Sequence, residues 1–211
     1  MDAKQKGDLG EDAVLDLCLA LKRAGDGILI QSFEYPYASR PDGRNYTGNI
    51  KWEGAQYVEY TDRQGLKDEI DILLVTPVRI FPIEVKSYHA NIHIYDHWMD
   101  RTNGGKSLSP VDKSPLAQAE KHARHLYHSI YDVLPDGQSA YIVPIVCFVD
   151  RCSIDDDRET RNQTYLPVCV LNNLRQTIFT YNTPLRYGLD LNAIRRKLKE
   201  IKTSTRKEFG L

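Results

Sequence analysis

A single α/β domain, with helices sandwiching a sheet, is the fold class this sequence predicts. Two strand-length apolar runs flank a Thr-Pro-Val-Arg turn within residues 71–86, which makes a central hairpin. Segments with helical apolar spacing stand on both sides of it, at 6–23, 114–133, 171–180 and 190–202. Two short apolar runs, 140–149 and 168–171, lie between the second and third helices. Helix, hairpin sheet, helix, strand, strand, helix is the order of an α/β layer architecture. The 211 residues suit one domain with a substantial core.

The first helix, 6–23, follows from Leu9, Ala13, Leu17 and Leu21 at spacing four, with Val14 and Cys18 widening the stripe. Gly25 and Gly27 end it. Glu11 stands three residues before Val14 and seven before Cys18, over the edge of the stripe, so it faces inward. Residues 28–35 read as a strand. Residues 36–54, rich in Pro, Gly, Asn and Asp, read as a long loop, a kind that is often functional. A short strand is expected at 56–61, then hairpin strands at 68–76 and 79–88. Pro82 removes a ladder donor, so the second hairpin strand is expected to be an edge or bent there. Residues 91–99 alternate through Ile92, Ile94 and Trp98 and read as one strand, followed by a polar loop over 100–113. Gly104-Gly105-Lys106-Ser107 in that loop is not a Walker A motif, because Asp100 stands where the first glycine belongs. Ser114 and Pro115 open the second helix as N-cap and first helical residue. Pro144 is unusual for the central strand expected at 140–149.

Composition narrows the function classes. No run of ~18 apolar residues offers a membrane span. The N-terminus lacks the apolar core of a signal peptide, so the expected location is the cytoplasm. Without a secretion signal the sequons at Asn45 and Asn162 carry no weight. Cys18, Cys147, Cys152 and Cys169 form no Cys-x-x-Cys pair and read as reduced thiols. The formal net charge of −1 does not announce a nucleic-acid binder. Arg195, Arg196, Lys197, Lys199, Lys202, Arg206 and Lys207 concentrate positive charge near the C-terminus. That segment reads as a solvated helix face; its functional alternative is contact with a phosphate backbone or an acidic partner.

Chemistry concentrates in the hairpin. Asp71 lies in its first strand, Glu84 and Lys86 in its second. Charges inside apolar strands are costly unless paired or bound to a metal. Glu84 and Lys86 are two residues apart and share a face. A turn centred between Pro77 and Val78 sets position 71 directly opposite 84. Opposed residues have Cβ atoms roughly 4.5–5.5 Å apart, close enough for two carboxylates to clasp one hard cation such as Mg²⁺ or Mn²⁺. Lys86 then points at the same spot, where it can stabilise charge on a phosphate. A register slip of one residue would send Asp71 to the other face. The alternative is a salt bridge of the two acids with Lys86, charged but inert.

Asp71 followed by Glu84-Val85-Lys86 resembles the signature of the PD-(D/E)XK nuclease superfamily, and the whole pattern resembles its nuclease-related domain (NERD) family. Five elements carry the resemblance: Gly7-Asp-Leu-Gly10-Glu11 on the first helix, Glu69-Ile70-Asp71 before an apolar strand, Glu84-Val85-Lys86, a strand with Trp98, and Ser114-Pro115-Leu-Ala-Gln118 opening a helix. It covers residues 7–150; 36–66 reads as an insertion and 151–211 as a C-terminal extension with helices. The resemblance implies a restriction-endonuclease-like α/β/α sandwich with a mixed central sheet.

It also implies a metal-dependent nuclease hydrolysing DNA, with RNA as the second candidate, in DNA processing or defence against foreign DNA. Asp71 and Glu84 are then ligands of Mg²⁺ or Mn²⁺, joined by the Val85 carbonyl, and Lys86 is the electrostatic stabiliser. Glu11 reaches the metal through water or holds Lys86; its alternative is an ordinary carboxylate near a helix N-terminus. Gln118 orients the substrate phosphate or the lysine; its alternative is a surface amide. The implied partners are nucleic acid and a helicase or other DNA-processing module, with homodimerisation compatible and no membrane. The rival is a catalytically silent nuclease-fold module that binds nucleic acid or a protein. His122, His125 and His128 read as a solvated helix face, although His122 lies one turn beyond Gln118 and can reach the site. His89, His93 and His97 share spacing four, a weak sign of metal binding.

Overall fold

A computed structural model describes residues 3–23, 27–36, 49–52, 55–58, 67–88, 90–95, 99–103, 106–108, 115–150, 152–158 and 166–211. The chain opens with α1 (Ala3–Arg23) and β1 (Ile28–Pro36), then a small hairpin, β2 (Asn49–Trp52) and β3 (Ala55–Val58). The central hairpin is β4 (Lys67–Val75) and β5 (Ile80–Lys86). After it come β6 (Asn91–Ile94), β7 (Met99–Asn103), β8 (Lys106–Leu108) and α2 (Pro115–Ile130). The rest is β9 (Ile145–Phe148), β10 (Ser153–Asp156), β11 (Val168–Val170), α3 (Leu171–Tyr181), α4 (Leu191–Ile201) and β12 (Lys207–Phe209).

Six strands form the main sheet in the order β11-β9-β5-β4-β1-β12. It is mixed: β12, β1, β4 and β5 pair antiparallel, whereas β5, β9 and β11 pair parallel. Strand alternation divides its side chains between two layers. Leu29, Ile72, Leu74, Phe81, Ile83 and Val85 pack on Val14, Leu15 and Cys18 of α1 and on Leu174 and Ile178 of α3. Ile28, Ile30, Leu73, Val75 and Ile80 pack on Leu126 and Ile130 of α2 and on Ile194 and Leu198 of α4. The result is the α/β/α sandwich the sequence predicts. A second sheet, β10-β6-β7-β8, packs Ile92, Ile94 and Met99 against Leu116 and Ala119 of α2.

Several elements differ from the sequence reading. Leu9 is 55% exposed, and the buried stripe of α1 runs through Gly10, Val14, Leu15 and Cys18 instead. Residues 91–99 are not one strand: β6 and β7 form a hairpin, and β8 extends it into the expected polar loop. β5 is not an edge at Pro82, which pairs with Leu73 in the sheet interior. Thr76 N–H donates to the Arg79 carbonyl and closes the hairpin, so the Leu73–Pro82 pair falls where antiparallel strands exchange no ladder bonds. The missing donor faces the 142–148 segment, where parallel pairing is present at Ile80–Ile142, skips the facing Pro82 and Pro144, and resumes at Ile83–Ile145. The C-terminal third supplies both edge strands, β11 and β12, and one helix to each layer. Within 36–66 the backbone of β2 and β3 forms a hairpin; the rest of that segment beyond Pro36, like His89, His97, Trp98, Gly104, Gly105 and Ser114, lies outside the described residues. Cys18, Cys147, Cys152 and Cys169 are free thiols. Among the described residues no helix is long and apolar enough to cross a membrane.

Candidate active site

The site grows from the point where β4 and β5 separate. Their ladder runs Val75–Ile80, Leu74–Phe81, Leu73–Pro82, Ile72–Ile83 and stops. The same register carried one step further sets Asp71 against Glu84, as the turn position predicts. The ladder itself ends one pair earlier, at Ile72–Ile83. Past Glu84, Val85 N–H donates to Asp71 Oδ2 at 2.7 Å. An acidic side chain thus takes the place of a backbone acceptor and wedges the strands apart. The Val85 carbonyl leaves the chain on the same side as its N–H, into this fork.

A bend in β1 and β4 lets both helix layers reach the fork. The β1–β4 register is unbroken from Ile28–Val75 to Pro36–Lys67 except at Ser32 and Asp71. Ser32 has φ of 52°, an uncommon conformation for a residue with a side chain. Before it Ile28 and Ile30 face the α2 layer, after it Phe33 and Tyr35 do, and β4 shifts phase likewise between Ile70 and Leu73. Asp71 therefore sits at the crossover. From α1, Glu11 reaches this bend: Ser32 Oγ and Gln31 Nε2 each donate to Glu11 Oε2 at 3.4 Å. Gly10 lets α1 come this close, since a Cβ there would stand 2.6 Å from a methyl of Val149.

Lys86 lies on the face of Glu84 and its ammonium touches Glu84 Oε1. On the other side of that carboxylate, His122 Nδ1 is 3.2 Å from Glu84 Oε2, off the line of a hydrogen bond. Glu84 Oε2 is buried and accepts no hydrogen bond. Burial and the Glu84 carboxylate push the Asp71 carboxyl up to about 7, against Val85 N–H and Lys86, which favour its ionised form. Burial would lower the Lys86 ammonium, but Glu84 and Asp71 hold it above the usual lysine value. Glu11 is raised by burial, with Glu69 and Asp8 adding to the effect and Gln31 and Arg206 opposing it.

Two close acids share one lysine, and one of them keeps an unbonded buried oxygen. This donor set fits a hard divalent cation. Among the described residues no group of three His, Cys, Asp or Glu side chains is gathered to hold a metal, so the pair would rely on a carbonyl and water for further ligands, as magnesium sites commonly do.

The other expected residues are distributed as follows. Glu11 contacts Ser32 and Gln31, not Lys86. Gln118 is half-buried on α2, one turn before His122, and has no hydrogen bond to the cluster. The histidines of α2 are not a solvated face: His122 and His125 are buried. Beneath Glu84 they complete a second charged group around Asp68, which is 4% exposed. Lys121 Nζ lies 3.0 Å from Asp68 Oδ1, His125 Nδ1 touches Oδ2, and His122 Nε2 is 3.8 Å from Oδ1. Burial would raise Asp68, but His125, Lys121 and His122 outweigh it and hold the carboxyl at about 2. Sequence reasoning passes over Asp68. The signal for its partner is the stripe Ala119, His122, Leu126 and Ile130, in which His122 occupies a core position. His93 pairs with Asp155 at 3.3 Å, away from the fork. The basic C-terminal segment is largely neutralised within the fold: Arg206 meets Asp8 and Asp12, Lys207 meets Asp12, Lys202 meets Glu208 and Lys197 meets Asp132.

No curated protein and no solved structure matches the chain. The sequence model of the nuclease-related domain does match it, over residues 6–149, a span that contains Glu11, Asp71, Glu84, Lys86 and Gln118. With two thirds of its length covered and the acidic fork built from the matched elements, this chain belongs to the nuclease-related domain (NERD) family.

Proposed function

We propose that this protein is a metal-dependent nuclease that hydrolyses phosphodiester bonds of DNA, with RNA as the second candidate substrate. The observation that carries this reading is the closeness of the Asp71 and Glu84 carboxylates at the β4–β5 fork, with Lys86 on Glu84, in a member of a nuclease-related family. Asp71, Glu84 and the Val85 carbonyl would hold Mg²⁺ or Mn²⁺. When bound, such an ion activates water and neutralises charge on the phosphate.

The chain's own residues do the rest. A cation beside Asp71 would favour its ionised form, which burial and Glu84 otherwise oppose. Lys86, only partly exposed, presents a fixed positive charge that stabilises a phosphate oxygen as it gains charge. Glu11 adds a third acid on the α1 side of the fork, acting through Ser32 and the local field on Asp71. Gln118 brings an amide to the α2 side for the phosphate. By family analogy the chain works on DNA alongside a helicase or another DNA-processing module, in processing or defence against foreign DNA. A homodimer is compatible with this reading.

One observation favours the second reading, a silent module that binds nucleic acid or protein: Lys86 is closed on Glu84, so the charges satisfy each other. The two separate in one experiment. Single- and double-stranded DNA and RNA are incubated with the protein in Mg²⁺, Mn²⁺ or EDTA, with Glu84→Ala and Lys86→Ala alongside. Cleavage that needs metal and disappears in both variants is expected. A folded protein that neither cleaves nor binds Mn²⁺ would establish the binding module instead.

A further inference from the structure

Glu84 has a neighbour on each side: a lysine that bonds one oxygen and a histidine ring packed beside the other. Lys86 engages Oε1, and the ring of His122 stands over Oε2 with Nδ1 at 3.2 Å. The other ring nitrogen, Nε2, faces Asp68 Oδ1 at 3.8 Å, so the imidazole lies between one carboxylate of β5 and one of β4. The ring is held by its surroundings. The side chain is 8% exposed, and Tyr35 Oη donates to the His122 carbonyl at 3.1 Å, tying α2 to β1 at this residue. Asp68 is held in turn by Lys121 and His125.

We propose that His122 is a positioning residue for Glu84, and that Asp68 orients His122. The proposal rests on reading Asp71 and Glu84 as cation ligands. The terminal torsion of a glutamate is broad, so a carboxylate tethered at Oε1 alone can rotate. The His122 ring, packed with Nδ1 3.2 Å from Oε2, restricts that rotation by contact. Partners of this kind behind a metal ligand typically contribute 10–100-fold to metal affinity. The chain Lys86–Glu84–His122–Asp68 thus extends the site from the surface of the fork into the α2 layer.

Calorimetric titration of the full chain with Mn²⁺ tests this, with thermal unfolding in EDTA to show that each variant is folded. His122→Phe keeps the bulk and removes both nitrogens; it should bind Mn²⁺ about 10–100-fold more weakly than the wild type. His122→Asn places an amide nitrogen near the position of Nδ1 and should recover most of that loss. Asp68→Asn should show a smaller loss. Equal Mn²⁺ affinity in the wild type and His122→Phe would overturn the proposal, as would His122→Asn binding no better than His122→Phe. If His122→Phe does not fold, unchanged affinity in Asp68→Asn overturns it. A folded wild type that binds no Mn²⁺ would remove the cation reading itself, and this proposal with it.

Discussion

Asp71 and Asp68 stand three residues apart on β4 and are driven in opposite directions by their neighbours. Asp71 faces Glu84 in a buried fork and rises to about 7; Asp68 faces Lys121, His122 and His125 and falls to about 2. Their contributions to stability therefore have opposite signs. Asp68 stabilises the fold above about pH 4, and that contribution, about 2 kcal/mol, is lost as pH falls towards 2. Asp71 ionises freely when unfolded but not when folded, so it costs stability progressively from about pH 4 to 7 and fully above 7. In EDTA, the melting temperature of the wild type should therefore decline from pH 5 to 8. Asp71→Asn should flatten that decline and melt roughly 4–8 °C higher at pH 8, while abolishing cleavage. A wild-type profile that is flat across this window would contradict the charge assignment at the fork.

At the scale of one element, α1 shows how a glycine serves a site. Both glycines of Gly7-Asp-Leu-Gly10 lie inside the helix, where glycine costs roughly 0.5–1 kcal/mol relative to alanine. Nothing lies within 4 Å of a Cβ built at Gly7. At Gly10 the same Cβ would strike Val149 at 2.6 Å. Gly7→Ala should thus stabilise the protein by about 0.5–1 kcal/mol with activity unchanged. Gly10→Ala should push α1 outward, carry Glu11 off Ser32, and lower both stability and Mn²⁺ affinity. Urea unfolding and Mn²⁺ titration of the two variants check this, and similar behaviour in both would exclude the close-approach role of Gly10.

At the scale of the molecule, the family match ends at residue 149 but the sheet does not. β11 covers β9, β12 covers β1, and α3 and α4 each bury one layer of the core. Arg206 and Lys207 beside β12 also clasp Asp8 and Asp12 of α1, the helix that carries Glu11. Each exposed pair contributes little alone, about 0–1 kcal/mol, so the weight lies in the strands and apolar faces. A fragment of residues 1–150 should therefore lack a cooperative unfolding transition, whereas the full chain should show one in circular dichroism and near-ultraviolet signals together. A cooperative fragment would mean that the C-terminal third only decorates the domain.

The parts of this molecule legible in its sequence are those governed by short-range rules. Strand alternation and a turn centred between Pro77 and Val78 were enough to set Asp71 against Glu84 and to put Lys86 on the same face. Helical periodicity marked α3 and α4 within a residue or two. Contacts between distant segments were not legible, because no local spacing records them. Pro82 is tolerated inside the sheet because Pro144 lies across from it, in the gap between the Ile80–Ile142 bridge and the β5–β9 ladder. His122 is buried only because Glu84 and Asp68 come up beneath α2 from two other strands. Local spacing in the sequence was sufficient for the α/β layer order and for placing Asp71, Glu84 and Lys86 on one hairpin. Tertiary packing alone decided which helix residues meet that pair, since burying a charge is tolerable only where another part of the chain supplies its counter-charge.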